Sequence, residues 1–269
     1  KIGARNDGTI TAAEGEVTYQ AGAFKGASVG AAVNCMFSPY DLENAKVWGY
    51  DVCVNRPKVA AYRAPGVPMA AFGVESVINE LADELGIDPV EMRLKNAAKE
   101  GTQNIMGLKY GPIGFIDILE AMKAHPHYSA PLGENQGRGI AAGYWLHAGG
   151  ISCASVNVSD DGTVTLIEGN PDIGGSRASM AAMVAEELGI DYASVRPIIG
   201  DTSSVGFSHL TAGSRVTFAT GMACVQAARN AIKVASDRAA KIWGVSEDEV
   251  VWEDGHARPA GANVGDHKP

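Results

Sequence analysis

Cysteine is scarce in this sequence, and its four residues are widely separated. No two form a Cys-x-x-Cys pair, and none has a histidine at the spacing of a metal site. This pattern is typical of reduced thiols and argues against a disulfide framework or a zinc site. A signal-peptide pattern and an apolar run of about 18 residues are also absent, so we expect a cytoplasmic protein without a membrane span. The four are Cys35, Cys53, Cys153 and Cys224.

Positive charge is scarce as well. The chain has 22 Lys and Arg against 31 Asp and Glu, a net charge of −9. This balance argues against nucleic acid or an anionic membrane as a partner, so an anion site must be built locally from backbone amides and a few arginines. The sequence lacks the Gly-Lys-Ser/Thr of a P-loop, the Rossmann G-x-G-x-x-G and the G-x-S-x-G elbow. Ordinary ATP and NAD sites are therefore not expected, and nothing points to a serine or cysteine nucleophile.

Glycine is plentiful, with 33 in 269 residues, a length sufficient for two domains. In the first half, alternation around Asn6-Asp7-Gly8 predicts two antiparallel strands, the second over about 10–19. Beyond it we predict a strand at 46–54, a helix at 69–85 stopped by Gly86, and a short helix at 90–98. Residues 100–138 are rich in Gly, Pro and His, which predicts a link between the two halves.

The second half shows strands and helices in a similar mixture. We predict strands at 140–147, 152–159, 163–168 and 195–199, a helix ending at Gly189, and a long helix over about 217–243. The fold class is therefore α+β. Two helix ends also share the pattern acidic-Glu-Leu-Gly-Ile-Asp, at 83–88 and 186–191. Either both are glycine-capped helix ends of the same kind, or the chain contains a structural duplication.

Three segments place glycine directly before a predicted helix. A glycine lets backbone approach a ligand, and a helix start exposes N–H groups that can hold phosphate-like oxygens. Ser176, Thr211 and Ser214 add hydroxyl donors or act as simple N-caps. Together the segments suggest an extended, multiply anionic ligand such as a dinucleotide, although loop and capping chemistry could explain each one. They are Arg63 to Gly66, Gly169 to Arg177, and Leu210 to Arg215.

Histidine and acidic side chains give weaker evidence of a functional site than the glycine segments do. His125 and His127 flank a proline and could bind a metal or lie on the surface. His147 could face a pocket or be a hydrogen-bonded histidine of the core or the rim. Asp172 lies in the second glycine segment, where an inward carboxylate would repel an anion. We expect it to point away and cap its own turn.

Residues 61–101, AYRAPGVPMAAFGVESVINELADELGIDPVEMRLKNAAKEG, form a long and specific signature. It resembles the molybdopterin-binding subunit of the xanthine dehydrogenase, aldehyde oxidase and carbon monoxide dehydrogenase family, the molybdenum hydroxylases. Residues 156–240, with PDIGGSR and TAGSR each leading into a helix, resemble the second molybdenum-binding half of that subunit. The resemblance extends over nearly the whole chain.

This resemblance implies two mixed α/β subdomains, each a sheet with packed helices. Residues 1–130 would be the remainder of the first molybdopterin-binding subdomain and 131–269 the start of the second. The cofactor implied is molybdopterin with molybdenum, in bacteria usually as the cytosine dinucleotide. The residues implied to bind it are Arg63, Gly66, Gly174, Gly175, Ser176, Thr211, Ala212, Gly213 and Ser214. Those implied to line a substrate pocket are Pro65, Tyr144 and Trp145.

Three departures from the family pattern limit which cofactor contacts and substrates the resemblance implies. The Gly-Gln-Gly cofactor loop reads Gly174-Gly175-Ser176 here, so a glutamine is missing. Pro65 stands where the xanthine enzymes have a phenylalanine, so their substrate clamp is not reproduced. No cysteine follows Arg63, which argues against oxidation of carbon monoxide by a copper-containing site.

The family's catalytic base is a glutamate in a late Gly-Glu motif, and no Gly-Glu pair follows Ser214 in this sequence. We therefore assign no catalytic residue and no metal ligand, and interpret the chain as a middle segment that is inactive alone. The implied enzyme oxidatively hydroxylates an aldehyde or aromatic N-heterocycle with water. Its partners would be the rest of the molybdenum subunit and the domains or subunits carrying [2Fe–2S] and FAD. The alternative is a non-catalytic binding or assembly fragment whose glycine loops are purely structural.

Overall fold

The computed structural model describes residues 1–147 and 149–261 of the chain. The chain divides into two units, Lys1–Leu146 and His147–Pro269. Each unit contains a three-stranded mixed sheet with helices packed against it, so the α+β class is confirmed. Among the described residues, no helix combines the length and hydropathy needed to cross a membrane.

The sheet of the first unit begins with the predicted hairpin. Asp7 accepts the backbone N–H of Thr9 at 3.0 Å, and Gly8 takes a left-handed φ of 85° in the turn. The second strand then runs parallel to the third, which α1 connects to it. The elements are β1 (Ile2–Ala4), β2 (Ile10–Gly22), α1 (Val29–Cys35) and β3 (Ala45–Cys53).

The helix α2 (Val67–Leu85) covers this sheet and confirms the helix predicted at 69–85. Its buried side chains recur every three or four residues and join those of β2 and α1 in one apolar core. It begins after Gly66 and ends at Gly86, whose φ of 65° closes the last turn. Asp88 then caps α3 (Pro89–Asn96) by accepting the N–H groups of Val90 and Glu91.

The stretch predicted as a link belongs to the first unit. It forms α4 (Phe115–Ala124) and the single turn α5 (Pro126–Ser129), and Leu119 of α4 packs with Val90 and Ala97 in a small apolar cluster.

The predicted strand at 140–147 is wrong, because these residues form no strand. Side chains, not a neighbouring strand, satisfy this backbone. The N–H of Ala142 donates to Glu75, and the carbonyl of Ile140 accepts from Asn79 and Arg93.

The second unit repeats the order of hairpin, helix, parallel strand and helix. Strands form at the predicted positions 152–159, 163–168 and 195–199, and β4 pairs antiparallel with β5, which pairs parallel with β6. The helices α6 and α7 pack on this sheet around Leu166, Met180 and Val184, and a short hairpin follows. The elements are β4 (Ala154–Val158), β5 (Val164–Glu168), α6 (Ser176–Leu188), β6 (Val195–Ile199), α7 (Gly221–Trp243), β7 (Val250–Glu253) and β8 (His256–Pro259).

The long helix predicted from residue 217 has an unexpected beginning. Val216–Thr220 form a π-helical turn that runs directly into α7. The wider turn accompanies a fully buried Thr220, whose hydroxyl donates to Asn170 at 2.6 Å. Such turns often occur at functional sites.

The repeated Gly-Ile-Asp pattern is a shared helix ending. At both ends the glycine is left-handed, with φ of 65° at Gly86 and 71° at Gly189, and the following isoleucine N–H bonds back to the helix. However, Gly86 ends the helix after the third strand of its sheet, whereas Gly189 ends the helix before it. The two patterns are therefore at non-equivalent places, and a common capping solution explains them without duplication.

Candidate functional site

The first glycine segment is a tight loop before α2. Ala64 and Gly66 both have left-handed backbone, with φ of 48° and 80°, and the N–H of Val67 donates to the carbonyl of Ala64. A Cβ on Gly66 would lie 2.2 Å from the carbonyl oxygen of Ser28, so no larger residue fits. The Tyr19 hydroxyl donates to the Gly66 carbonyl at 2.6 Å. Gly66 is therefore required by packing within the first unit.

Arg63 is exposed in this loop and free to bind an anion. Among the described residues its guanidinium makes no hydrogen bond and no ion pair. It lines a cleft of about 950 Å³ together with Tyr62 and half-buried Pro65, next to Val17 and Tyr19 of β2. A free guanidinium at a cleft wall can form paired hydrogen bonds to a phosphate.

The second glycine segment precedes α6 and leaves backbone donors open. Gly174 and Gly175 are exposed, with φ of 63° and 82°, and no atom would crowd a Cβ on either. Conformation alone therefore requires glycine here. Within the described parts of the chain, their two N–H groups have no hydrogen-bond acceptor. They lie at the positive end of a 13-residue helix.

Side chains cap the rest of this turn. The Asp172 carboxylate accepts the N–H of Arg177 at 3.1 Å, so it caps its own turn as the sequence predicts. Ser176 is buried, and its hydroxyl oxygen accepts the N–H of Ile173 at 3.2 Å. Among the described residues of this segment, the N–H groups of Gly174 and Gly175 are thus left open, together with that of Asp172.

The third glycine segment also has open backbone N–H groups, and they extend over four residues. Gly213 and Ser214 are left-handed, with φ of 63° and 58°. From Thr211 through Ser214, none of the four N–H groups has an acceptor among the residues described here. Ala212 and Ser214 are exposed. In proteins, consecutive open amides in turns of this kind can form a concave surface that binds anions.

A buried polar network, which the sequence did not suggest, supports both segments of the second unit. Arg215 is 3% exposed and donates to the carbonyls of Gly149, Ile151 and His209 and to the Ser152 hydroxyl at 2.7–3.0 Å. The arginine directly after Ser214 was the only available signal.

Asn170 completes this network. Its amide nitrogen donates to the His209 carbonyl at 3.2 Å and to the Thr211 hydroxyl at 3.4 Å, while its amide oxygen accepts from Thr220. The second and third glycine segments are therefore held together by hydrogen bonds.

Glu168 lies under this network and is fully buried. One carboxyl oxygen accepts the N–H of Asn170 at 2.9 Å, and the other has no partner in the described chain. Burial raises the pKa of this carboxyl, and the nearby charge of Asp172 adds to the effect. Burial and Glu168 together raise the pKa of the Cys224 thiol to about 12.

The aromatic residues predicted to line a substrate pocket are in the first unit. Tyr144 and Trp145 are half-buried, and the Tyr144 ring packs on Tyr110 with centroids 5.6 Å apart. Burial raises the pKa of the Tyr144 hydroxyl. Neither residue lines the cleft beside Arg63.

The histidines take local roles. The ring of His125 accepts the N–H of His127 at 3.1 Å, and both are exposed. The ring of His147 packs edge-on against Phe218, with centroids 4.5 Å apart, in the second unit.

Comparison with known families now identifies the chain. Two family models, both described as molybdopterin cofactor-binding domain, match residues 1–97 and 117–267. The chain belongs to this molybdopterin cofactor-binding family. The second matched region includes both segments with open amides, and the first includes the Arg63 loop.

Relatives of the chain are molybdenum oxidoreductases. A putative xanthine dehydrogenase molybdenum-binding subunit of Escherichia coli is 30% identical over 85% of this chain and 33% of its own length. The structure of aldehyde oxidoreductase from Desulfovibrio desulfuricans is 27% identical, with a TM-score of 0.71 over 86% of this chain and 28% of that one. Quinoline 2-oxidoreductase from Pseudomonas putida shares the fold, with a TM-score of 0.82 at 20% identity over 97% of this chain and 37% of that one. The chain thus spans about a third of the length of the curated relatives it matches.

Proposed function

We propose that this chain holds the molybdopterin of a molybdenum hydroxylase that oxidises an aldehyde or an aromatic N-heterocycle. The observation that carries the proposal is the set of open backbone N–H groups at Gly174, Gly175 and Thr211 to Ser214, held together by Asn170. Backbone amides that need no rearrangement are suited to the phosphate and pterin oxygens of such a cofactor.

The residues present fit a molybdopterin dinucleotide. Gly174 and Gly175 would hold phosphate oxygens at the start of α6, and Thr211 to Ser214 would hold polar atoms of the pterin. Within the first unit, Arg63 would offer a positive charge to an anionic group of the cofactor, and Gly66 shapes its loop. When bound, the molybdenum centre would supply the two-electron oxidation that converts a substrate C–H bond to C–OH with oxygen from water.

The chain's own contribution is binding and positioning, not proton transfer. Of the two carboxylates beside the open amides, Asp172 caps a helix and Glu168 is buried beneath the loop. Neither is available to take a proton from a substrate or water. The electrons would leave through [2Fe–2S] and FAD groups on partner domains or subunits, and the cofactor form proposed is the cytosine dinucleotide.

The alternative is a binding or assembly fragment whose glycines are purely structural. The loop at Gly66 is the one glycine segment whose geometry agrees with this alternative. Crowding by Ser28 explains Gly66 without any ligand. Crowding explains neither Gly174 nor Gly175, because a Cβ on either would meet no atom within 4 Å.

Molybdenum and nucleotide analysis of the complete enzyme tests the proposal. We expect molybdenum in the native preparation and release of CMP on acid hydrolysis. Gly175→Ala should lower both severalfold, because a methyl group would cover the open amides. Gly162→Ala is a matched control, since Gly162 has a φ of 81° and equally open surroundings but lies in the β4–β5 turn. An enzyme without molybdenum, or equal losses in both variants, would contradict the proposal.

A further inference from the structure

A buried ion pair joins α2 and α3 in the first unit. The side chain of Arg93 is 0% exposed and that of Glu75 is 5% exposed. Two guanidinium nitrogens of Arg93 donate to one carboxyl oxygen of Glu75, at 2.6 and 3.0 Å. The Tyr40 hydroxyl donates to the other oxygen at 2.5 Å. Such a pair is costly to desolvate, and packed apolar residues could replace it without loss of stability.

The same side chains hold a stretch of backbone that has no secondary structure. The Ala142 N–H donates to the Glu75 carboxylate at 2.6 Å. The Ile140 carbonyl accepts from Arg93 and from the amide of Asn79, both at 3.2 Å. Asn79 in turn accepts from Arg93 at 2.9 Å. Apolar residues could fill the same space but could not satisfy these backbone groups.

Residues 140–146 are therefore fixed at two points. The first is the polar cluster at Ile140 and Ala142. The second lies two residues further on, where the Tyr144 ring packs on Tyr110. The Tyr110 hydroxyl donates to the Ser38 carbonyl at 3.1 Å, so its ring is held as well.

We propose that Glu75, Arg93 and Asn79 are positioning residues that hold the segment 140–146 so that Tyr144 and Trp145 keep one arrangement for a flat aromatic substrate. The part concerning substrate rests on the proposed function and adds to it that these two aromatic residues line the substrate pocket, as the resemblance to the molybdenum hydroxylases implies. Because the segment lacks strand partners, this cluster supplies its order. The ion pair thus has a role in specificity as well as in folding.

Amide hydrogen exchange in the complete enzyme tests the structural half. Glu75→Gln would leave a buried arginine unpaired and could prevent folding, so we choose half-buried Asn79. Asn79→Leu should raise exchange in peptides covering residues 139–146 by roughly tenfold, because the Ile140 carbonyl loses one of its two donors and Arg93 loses an acceptor. Tyr40→Phe is the matched control. It removes one hydrogen bond from Glu75 but touches no group of the segment, and exchange there should stay within about twofold.

Kinetics test the functional half, with quinoline and benzaldehyde as probes and molybdenum content measured in each preparation. We expect Asn79→Leu to keep its molybdenum and to raise KM severalfold with a smaller change in kcat, and Asn79→Gln to restore KM in part. Unchanged exchange in Asn79→Leu, equal exchange increases in both variants, or an unchanged KM would overturn the inference. A wild-type enzyme that lacks molybdenum, or that oxidises neither probe, would instead contradict the proposed function.

Discussion

At the scale of single residues, the site combines groups fixed by packing with groups left free. Gly66 is fixed by Ser28, and Ser176 by the turn it caps. Arg63, by contrast, is an exposed side chain without a partner in the described chain. A side chain that contributes nothing to packing can be replaced without harm to the fold, which makes its role in binding measurable.

Arg63→Ala should therefore weaken cofactor binding with little effect on stability. Loss of a charge-assisted contact to phosphate costs about 1.5–3 kcal/mol, or roughly tenfold or more in affinity. Truncating an exposed side chain changes the free energy of unfolding by under about 0.5 kcal/mol. Molybdenum content and thermal unfolding of the complete enzyme measure the two effects. Arg63→Lys should recover part of the binding, since it keeps the charge but not the paired donors. Equal molybdenum in Arg63→Ala and wild type would contradict this role.

Glu168 should make stability depend on pH in an unusual direction. Because burial raises the pKa of its carboxyl, the folded chain binds the proton more tightly than the unfolded chain. The free energy of unfolding should then fall as pH rises from the ordinary glutamate pKa through the raised one. Glu168→Gln removes this titration and should be more stable than wild type at pH 8.

Chemical unfolding of the chain at pH 5 and pH 8 measures the difference. Glu100→Gln, at an exposed glutamate, is the control and should leave the pH dependence as in wild type. A parallel pH dependence in Glu168→Gln and wild type would show that this carboxyl does not titrate as its burial requires.

At the scale of elements, local chemistry made the helices and hairpins predictable. The Asp7-Gly8 turn, the Gly86 and Gly189 helix ends and the Asp88 cap act within a few residues, so the sequence shows them directly. The segment 140–147 was mispredicted because its apolar and aromatic residues are typical of a strand. Its backbone partners, Glu75 and Arg93, lie 67 and 47 residues away in the chain, and no local pattern reveals them.

The positions of the glycine segments were predictable because they depend on local conformation. The hydrogen bonds that hold these segments together were not predictable. Gly174, Gly175 and Gly213 have left-handed backbone, which glycine adopts more readily than any other residue. Glycines in the sequence therefore indicate where these loops lie. The link between those loops depends on Asn170, which reaches His209 and Thr211 across 39 and 41 positions in sequence, and Arg215 supports the network by reaching Gly149 across 66. Long-range hydrogen bonds of this kind leave no periodic signal.

Arg215 should be essential to the paired loops of the second unit. Arg215→Lys keeps the charge but cannot reach three carbonyls and a hydroxyl at once, so several buried acceptors lose their donor. We expect a loss of about 2–4 kcal/mol in the free energy of unfolding, and less molybdenum in the complete enzyme. Arg229→Lys, at an exposed arginine paired with Glu187, should cost under about 0.5 kcal/mol. Equal destabilisation by the two variants would contradict the role of Arg215.

At the scale of the whole molecule, each unit contributes different groups to the proposed binding of cofactor and substrate. The first unit contributes the free guanidinium and the aromatic segment, and the second contributes the open amides. In the second unit, the two carboxylates beside the open amides are occupied in capping or buried, so neither is placed to move a proton. The chain also spans about a third of the length of its curated relatives. We therefore propose that the remaining catalytic groups belong to other parts of the enzyme.

The 269-residue chain alone should consequently show no turnover. Proton transfer requires a base within hydrogen-bond reach of the reacting atom, and the two carboxylates beside the open amides are occupied in capping or buried beneath the loop. Electron removal also requires an acceptor such as a [2Fe–2S] group. The purified chain, given molybdenum cofactor, benzaldehyde or quinoline and an artificial electron acceptor, should leave the acceptor oxidised. The complete enzyme is the positive control under the same conditions. Steady reduction by the chain alone would mean that one of its own side chains acts as the base.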